Sequence, residues 1–437
     1  MPRNDVPHHQ MPDSQSTANP AADARYDCDI AIIGAGPSGT VAAKFLRDAG
    51  LSVIVLEAQT FPRFVIGESL LPQCMNVLER AGLLCAIQDA DFQYKNGAVF
   101  ARGAQHQSID FRENFEDAGW GTTFQVQRSR FDQILAQETQ NAGADIRFGH
   151  KVTHAVLRDG DCTLDFENDA GETGQIRSTF VIDASGYGRV LPRMLGTAKP
   201  DSGPGQSIKR RAVFTHMRDH ISDPSYDREK ILITVHPVRS EIWYWLIPFS
   251  DGTASVGVIY PDQDPEFDGL DDQTIFDRLI NDTHLGSLLA DAEPTRPLGT
   301  IAGYGAQSDT LHGDGYVLLG NSAGFLDPVF SSGVTIAMQS AQLAATALIA
   351  RSNGQPVDWN ADYGIPLNKG VETFRAYVDA WYDGRLQTII FNQPDEDNKL
   401  KRMVVSILAG YAWNLENPLV SKTDRYLEML HDLCDPS

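Results

Sequence analysis

The chain has 437 residues, with 36 Lys and Arg against 58 Asp and Glu, for a formal net charge of -22. At roughly 100–200 residues per domain this suits two to four domains, or one large α/β fold with an inserted sheet, and 42% hydrophobic residues exclude wholesale disorder. So acidic a surface repels phosphate backbones and anionic headgroups, which argues against nucleic acid or a membrane surface as partner.

Residues 1–25 are rich in Pro, Asp, Ser, Gln, Asn and Ala, and read as a disordered leader with neither a signal-peptide core nor a transit-peptide pattern. Order is expected from Tyr26. Cys28 to Ile33 reads as a buried strand. Gly34-Ala35-Gly36-Pro37-Ser38-Gly39 follows, then a helical pattern through Val41, Ala42, Phe45, Leu46 and Ala49, a stop at Gly50, and a second strand from Ser52 that ends at Glu57. This is a βαβ unit with its glycines at the first turn. Gly34 permits the turn, Gly36 lets backbone approach a pyrophosphate, and Gly39 lets helix pack on strand. Pro37 and Ser38 open a helix whose N–H groups and positive dipole end face the phosphates. Glu57, 23 positions after Gly34, stands where a carboxylate binds a ribose diol.

Further along, Thr179 to Gly186 is a strand running into Asp183-Ala184-Ser185-Gly186. Gly315 to Ala323 is another, ending in a small-residue turn before Asp327-Pro328. No stretch approaches the ~18 apolar residues of a membrane span. Cys28, Cys74, Cys85, Cys162 and Cys434 include no CxxC pair and suit a reducing, cytoplasmic setting, and the eleven histidines form no metal motif.

The three strands in this order, with Arg128 in Val126-Gln127-Arg128-Ser129-Arg130-Phe131-Asp132, resemble flavoprotein monooxygenases of the para-hydroxybenzoate hydroxylase type, which implies FAD as the resident dinucleotide. Three segments sharpen the resemblance to flavin-dependent halogenases of the phenol and pyrrole type: Gly67-Glu68-Ser69-Leu70-Leu71-Pro72 after Arg63, Trp243-Tyr244-Trp245-Leu246-Ile247-Pro248, and Asp327-Pro328-Val329-Phe330-Ser331-Ser332-Gly333-Val334. Tyr94-Lys95-Asn96-Gly97-Ala98-Val99-Phe100 is similar to the segment that carries that family's catalytic lysine. The resemblance covers roughly Asp27 to Met338.

The resemblance implies an α/β fold in which an FAD-binding Rossmann-like domain (26–200 and 296–350, with part of the substrate region at 85–125) carries an inserted antiparallel β-sheet substrate domain (201–295) and a helical C-terminal region (351–437). It assigns catalysis to Lys95, and FAD contacts to Gly34, Gly36, Pro37, Ser38, Gly39, Glu57, Arg63, Arg128, Asp183, Gly186, Asn321, Asp327, Pro328, Gly333 and Val334. Chloride or bromide would lie at Ser332 and Gly333, and Trp243 and Trp245 would screen flavin from substrate. Taken alone, two alternating aromatics on one strand face are as readily core.

The implied activity is halogenation of an electron-rich aromatic, free or carrier-bound, with O2, halide and reduced FAD supplied in trans by a separate flavin reductase. An FAD-dependent monooxygenase or oxidoreductase on an aromatic or polyene substrate would share the scaffold, as would a non-catalytic flavin-binding accessory protein. Ile242, Asn321 and Phe330 depart from the family pattern, and Phe330 stands where tryptophan halogenases carry an acid. Lys209-Arg210-Arg211, the densest basic cluster, reads as an exposed strand start or as a docking patch for an acidic carrier.

Overall fold

Cys28–Ile33 and Val53–Glu57 are aliphatic along almost their whole length, the mark of strands covered on both faces. They sit at the centre of an eight-stranded sheet, with Cys28–Ile33 parallel both to Val53–Glu57 and to Thr173–Asp183. Asp145–Phe148 and Tyr316–Leu318 extend the parallel run at its two ends, and a hairpin of His150–Val156 and Cys162–Asn168 branches from Thr173–Asp183. These elements come from a computed structural model, which describes residues 26–115, 119–200, 209–303, 305–392 and 399–435. The leader expected at 1–25 lies outside the described residues.

A second eight-stranded sheet is built mainly from Arg210–Arg218, Lys230–Val235, Trp243–Pro248 and Thr253–Pro261, joined by Gly97–Arg102 and Gln105–Asp110. It is not wholly antiparallel, because Lys230–Val235 runs parallel to Gly97–Arg102. These two strands lie far apart in sequence, so no hairpin dictates their relative direction. Alternation divides the faces: Trp243, Trp245 and Ile247 join the large core shared with the first sheet and the C-terminal helices, whereas Tyr244 and Leu246 join a separate core under the Asp272–Asn281 helix.

Ser332–Ser352 is the longest helix among the described residues, and by length and hydropathy it is the one that is able to cross a membrane. The sequence expectation counted unbroken apolar runs; here Thr335, Gln339, Ser340, Gln342 and Thr346 interrupt the Val, Ile, Leu, Met and Ala residues, so the helix qualifies on average hydropathy alone. The helix is packed between Pro37–Asp48, Pro72–Arg80 and Ile365–Tyr382, and most of it is buried.

Candidate active site

The first glycine turn is held by contacts that leave no room for a side chain. Gly34 has φ +100°, and a Cβ there would lie 2.6 Å from the Ala184 carbonyl oxygen. A Cβ on Gly39 would lie 2.0 Å from the Gly34 carbonyl oxygen, so the helix seats directly on the turn. The Pro37–Asp48 helix starts at Gly36 with no side-chain cap. Its first-turn N–H groups are therefore left for a ligand anion. Glu57 is buried, and its carboxylate accepts from Ala35 N at 2.8 Å and from Gln59 N at 2.9 Å. Each oxygen retains a lone pair, which is the acceptor a ribose diol needs.

Two arginines stand beside this turn. Arg128 binds Asp132 through Nε and Nη2 at 2.8 and 3.0 Å, and spends Nη1 on the Ile66 and Gly67 carbonyls. Arg63 reaches the same Asp132 at 3.0 Å and comes within 3.6 Å of where a Gly36 Cβ would be. Two guanidiniums thus share one buried carboxylate. The surplus positive charge lies next to the uncapped helix start, an arrangement suited to a pyrophosphate.

The later motifs frame the same space. Asp183 faces its own turn, accepting from Ser185 N at 2.9 Å and Leu191 N at 2.7 Å, while burial pushes its carboxyl above the usual range. Its role is to fix Gly186, which has φ +58° and lies at the cavity surface. Asn321 lines the cavity from the short turn Gly320–Ser322. Asp327 accepts from Val329 N and from the Tyr382 hydroxyl. Ser331 then takes a left-handed conformation, φ +57°, and the long helix begins at Ser332 with no side-chain cap. A Cβ on Gly333 would meet nothing within 4 Å.

Trp243 and Trp245 project from one strand face with ring centroids 6.0 Å apart, and both line the cavity. Trp245 donates to Ser255 Oγ at 3.0 Å and lies against Gly257, its cross-strand partner. A Cβ on Gly257 would come within 2.2 Å of the indole, so that glycine makes room for the ring. Trp243 donates to the Tyr382 hydroxyl at 2.9 Å.

Lys95 is fully buried. Its Nζ donates to Ser69 Oγ at 2.7 Å and to the Leu70 carbonyl at 2.8 Å, with the Phe111 ring 5.2 Å away. Burial pulls the amine down to about 7. Thr123 and Gln125 share its strand face by register, and their side-chain polar atoms have no hydrogen-bond partner.

A cavity of about 520 Å³ joins these features. Of the expected residues, Gly34, Gly36, Pro37, Ser38, Glu57, Arg63 and Arg128 line its dinucleotide half. Gly186, Asn321, Pro328, Gly333, Val334, Trp243 and Trp245 line the rest. Gly39, Asp183, Asp327 and Ser332 stand behind the wall, and Lys95 is separated from it by Ser69, which does line it. The donor set fits FAD: an uncapped helix start and two arginines for the phosphates, a carboxylate for the ribose, and a second helix start with an open glycine for the ring end.

Sequence reading gave no role to Ser69, Tyr382, His216 or Gly257. Only Ser69 carried a local signal, since it lies in the Gly67-Glu68-Ser69-Leu70-Leu71-Pro72 segment. The basic cluster does not form a patch: Arg210 is buried with its guanidinium 3.4 Å over the Tyr382 ring, and Arg211 is paired with Asp262 and Asp272. Only Lys209 is exposed, because alternation along the strand turns its neighbours to other work.

Residues 27–363 match the family model described as FAD binding domain. The 1H-pyrrole-2-carbonyl-(peptidyl-carrier protein) chlorinase of Pseudomonas fluorescens is 28% identical over 416 residues, which cover 88% of this chain and 89% of that protein. A crystal structure of a flavoprotein/dehydrogenase from Cytophaga hutchinsonii is 38% identical with a TM-score of 0.86, covering 93% of this chain and 98% of that one. The flavin-dependent brominase Bmp2 is 26% identical with a TM-score of 0.78, covering 93% and 99%.

Proposed function

The chain belongs to the FAD binding domain family, as an FAD-dependent enzyme related to flavin-dependent halogenases, and on that premise we propose that it halogenates an electron-rich aromatic. Supporting this reading is one link: Ser69 lines the cavity and accepts from Lys95 Nζ at 2.7 Å, so a buried amine stands one side chain behind the flavin site.

With halide and O2, reduced FAD supplies hypohalous acid in such a site. The residues of the chain then divide the work. The Ser332 and Gly333 end of the long helix offers backbone N–H groups to chloride or bromide. Trp243 and Trp245 wall the flavin side and exclude water that would consume the oxidant. Lys95, held near 7 by burial, is in part the neutral amine at neutral pH. It can hold the oxidant by a hydrogen bond, or react as R–NH2 with HOX to give R–NHX and water. Attack by the aromatic ring on that halogen, with loss of the ring proton, returns R–NH2. Thr123 and Gln125, buried beside it, have polar atoms free for a guest.

The substrate class we assign is phenol- or pyrrole-like, free or tethered to a carrier, in line with the named chlorinase. Reduced FAD would come from a separate flavin reductase, and five free thiols suit the reducing cytoplasm. The test supplies reduced FAD, O2 and bromide with a panel of phenols and carrier-bound pyrroles. Product should carry the bromine isotope pattern, and Lys95→Ala should make less than a hundredth as much. Unchanged product from Lys95→Ala would overturn the reading. A second reading, an oxidoreductase acting without halide, is favoured by the enclosure of Lys95 behind Ser69. A product carrying added oxygen, or having lost hydrogen, in place of halogen would establish it.

A further inference from the structure

Glu68 and His216 form an acid–imidazole pair at the edge of the flavin cavity, with His216 Nε2 2.8 Å from Glu68 Oε1. Glu68 lines the cavity and is 2% exposed. His216 does not line it, yet keeps 16% of its side chain exposed. One end of the pair therefore meets the cavity and the other meets solvent. The imidazole is held edge-on between Phe64 and Phe249, each with its ring centroid 5.3 Å away. The charged groups facing the pair are Arg296, packed over the Phe64 ring, and Arg128 on the cavity side, and both act on Glu68.

Halogenation consumes a proton. R–H, X−, O2 and FADH2 give R–X, FAD and two waters only when one H+ is taken up. We propose that Glu68 and His216 carry that proton inward from solvent. Water protonates His216 at Nδ1, the imidazolium passes Nε2–H to Glu68 Oε1, and Glu68 releases the proton inside the cavity. A ring flip or water-borne transfer from Nδ1 to Nε2 restores the starting tautomer. Glu68 is the catalytic member, and His216 acts through it. The need for this proton rests on the proposed function. Oxidation of FADH− by O2 alone, to FAD and hydrogen peroxide, also takes up one H+, so the relay is measurable even where no halogenated product forms.

Two measurements test it. In FAD-free protein, histidine 15N spectra should show His216 protonated at Nε2 and hydrogen-bonded, with that signature lost in Glu68→Leu, which has no acceptor. An Nε2 without a proton in the native chain would overturn the relay. In the second, protein carrying reduced FAD is mixed with O2 and bromide in a pH-indicator solution. His216→Gln and His216→Gly should slow proton uptake at least tenfold, and free imidazole should restore His216→Gly. Native rates in these variants, or slow rates that imidazole leaves unchanged while FAD affinity falls, would mean that the pair only clamps the loop to the sheet. Product analysis of the same mixtures judges halogenation separately, since absent bromination with intact imidazole rescue defeats only the proposed function.

Discussion

Trp243 and Asp327 are joined through a single hydroxyl: Tyr382 accepts from the Trp243 indole at 2.9 Å and donates to Asp327 Oδ2 at 2.8 Å. The hydroxyl ties the substrate-sheet wall of the cavity to the turn that starts the long helix, and anchors both to the Ile365–Tyr382 helix. Burial, reinforced by the Asp327 charge, holds the phenol well above its ordinary value, so it stays a donor throughout the working pH range.

Tyr382→Phe removes a partner from both ends of this bridge while keeping the ring. Removing a partner from buried polar groups costs about 1–3 kcal/mol. The expected outcome is a lower thermal midpoint, FAD affinity reduced about tenfold, and a shifted Trp emission maximum. Native FAD affinity in this variant would show that the bridge does not shape the cavity.

The depressed Lys95 amine makes stability depend on pH in a definite direction. The unfolded chain holds this proton up to about 10.5, whereas the folded chain releases it at about 7. Between those values the unfolded state binds more protons, so raising the pH favours folding, by up to about 1.4 kcal/mol per pH step for one group. Lys95→Met removes the titration. The difference in urea stability between native protein and variant should therefore change from pH 7 to pH 10, with the native chain gaining. A constant difference would place the amine at its ordinary value.

The local parts of this site were legible because they repeat at short range. The strand–glycine–helix–strand run from Cys28 to Glu57 states its own geometry, and alternation put Trp243 and Trp245 on one face. The pairs Trp243–Tyr382 and Glu68–His216 were not legible. Their members lie 139 and 148 positions apart and meet only through sheet register and helix packing. Of the basic cluster, the expected strand start held, at Arg210, but its exposure did not, since charge density along a strand says nothing of which ring or carboxylate each side chain meets. The parallel pairing of Lys230–Val235 with Gly97–Arg102 likewise has no turn between its strands to announce it.

Two glycines that look alike in sequence should behave differently. At Gly39 a methyl group would collide with the Gly34 carbonyl, so Gly39→Ala must push the helix off the turn. At Gly333 it would project into open cavity space, and the backbone has no reason to move. Gly39→Ala should therefore purify without flavin and melt early. Gly333→Ala should keep the native melting temperature while its apparent halide KM rises about tenfold. An early-melting Gly333→Ala would mean that this helix start is structural and not a ligand surface.

Asp132 is shared by Arg63 and Arg128, and it is completely buried. Asp132→Asn keeps the shape but leaves two guanidiniums without their counter-charge, and losing one partner of a buried pair costs about 3–5 kcal/mol. A pyrophosphate bound at the helix start would restore part of the missing negative charge. The variant should thus melt well below the native chain without FAD, and saturating FAD should raise its midpoint by more than it raises the native one. High salt should shrink that extra gain only slightly, because the charges are buried. Equal FAD-induced shifts in both proteins would show that the arginine pair does not feel the phosphates, and would leave Arg128 to holding the Ile66–Gly67 loop alone.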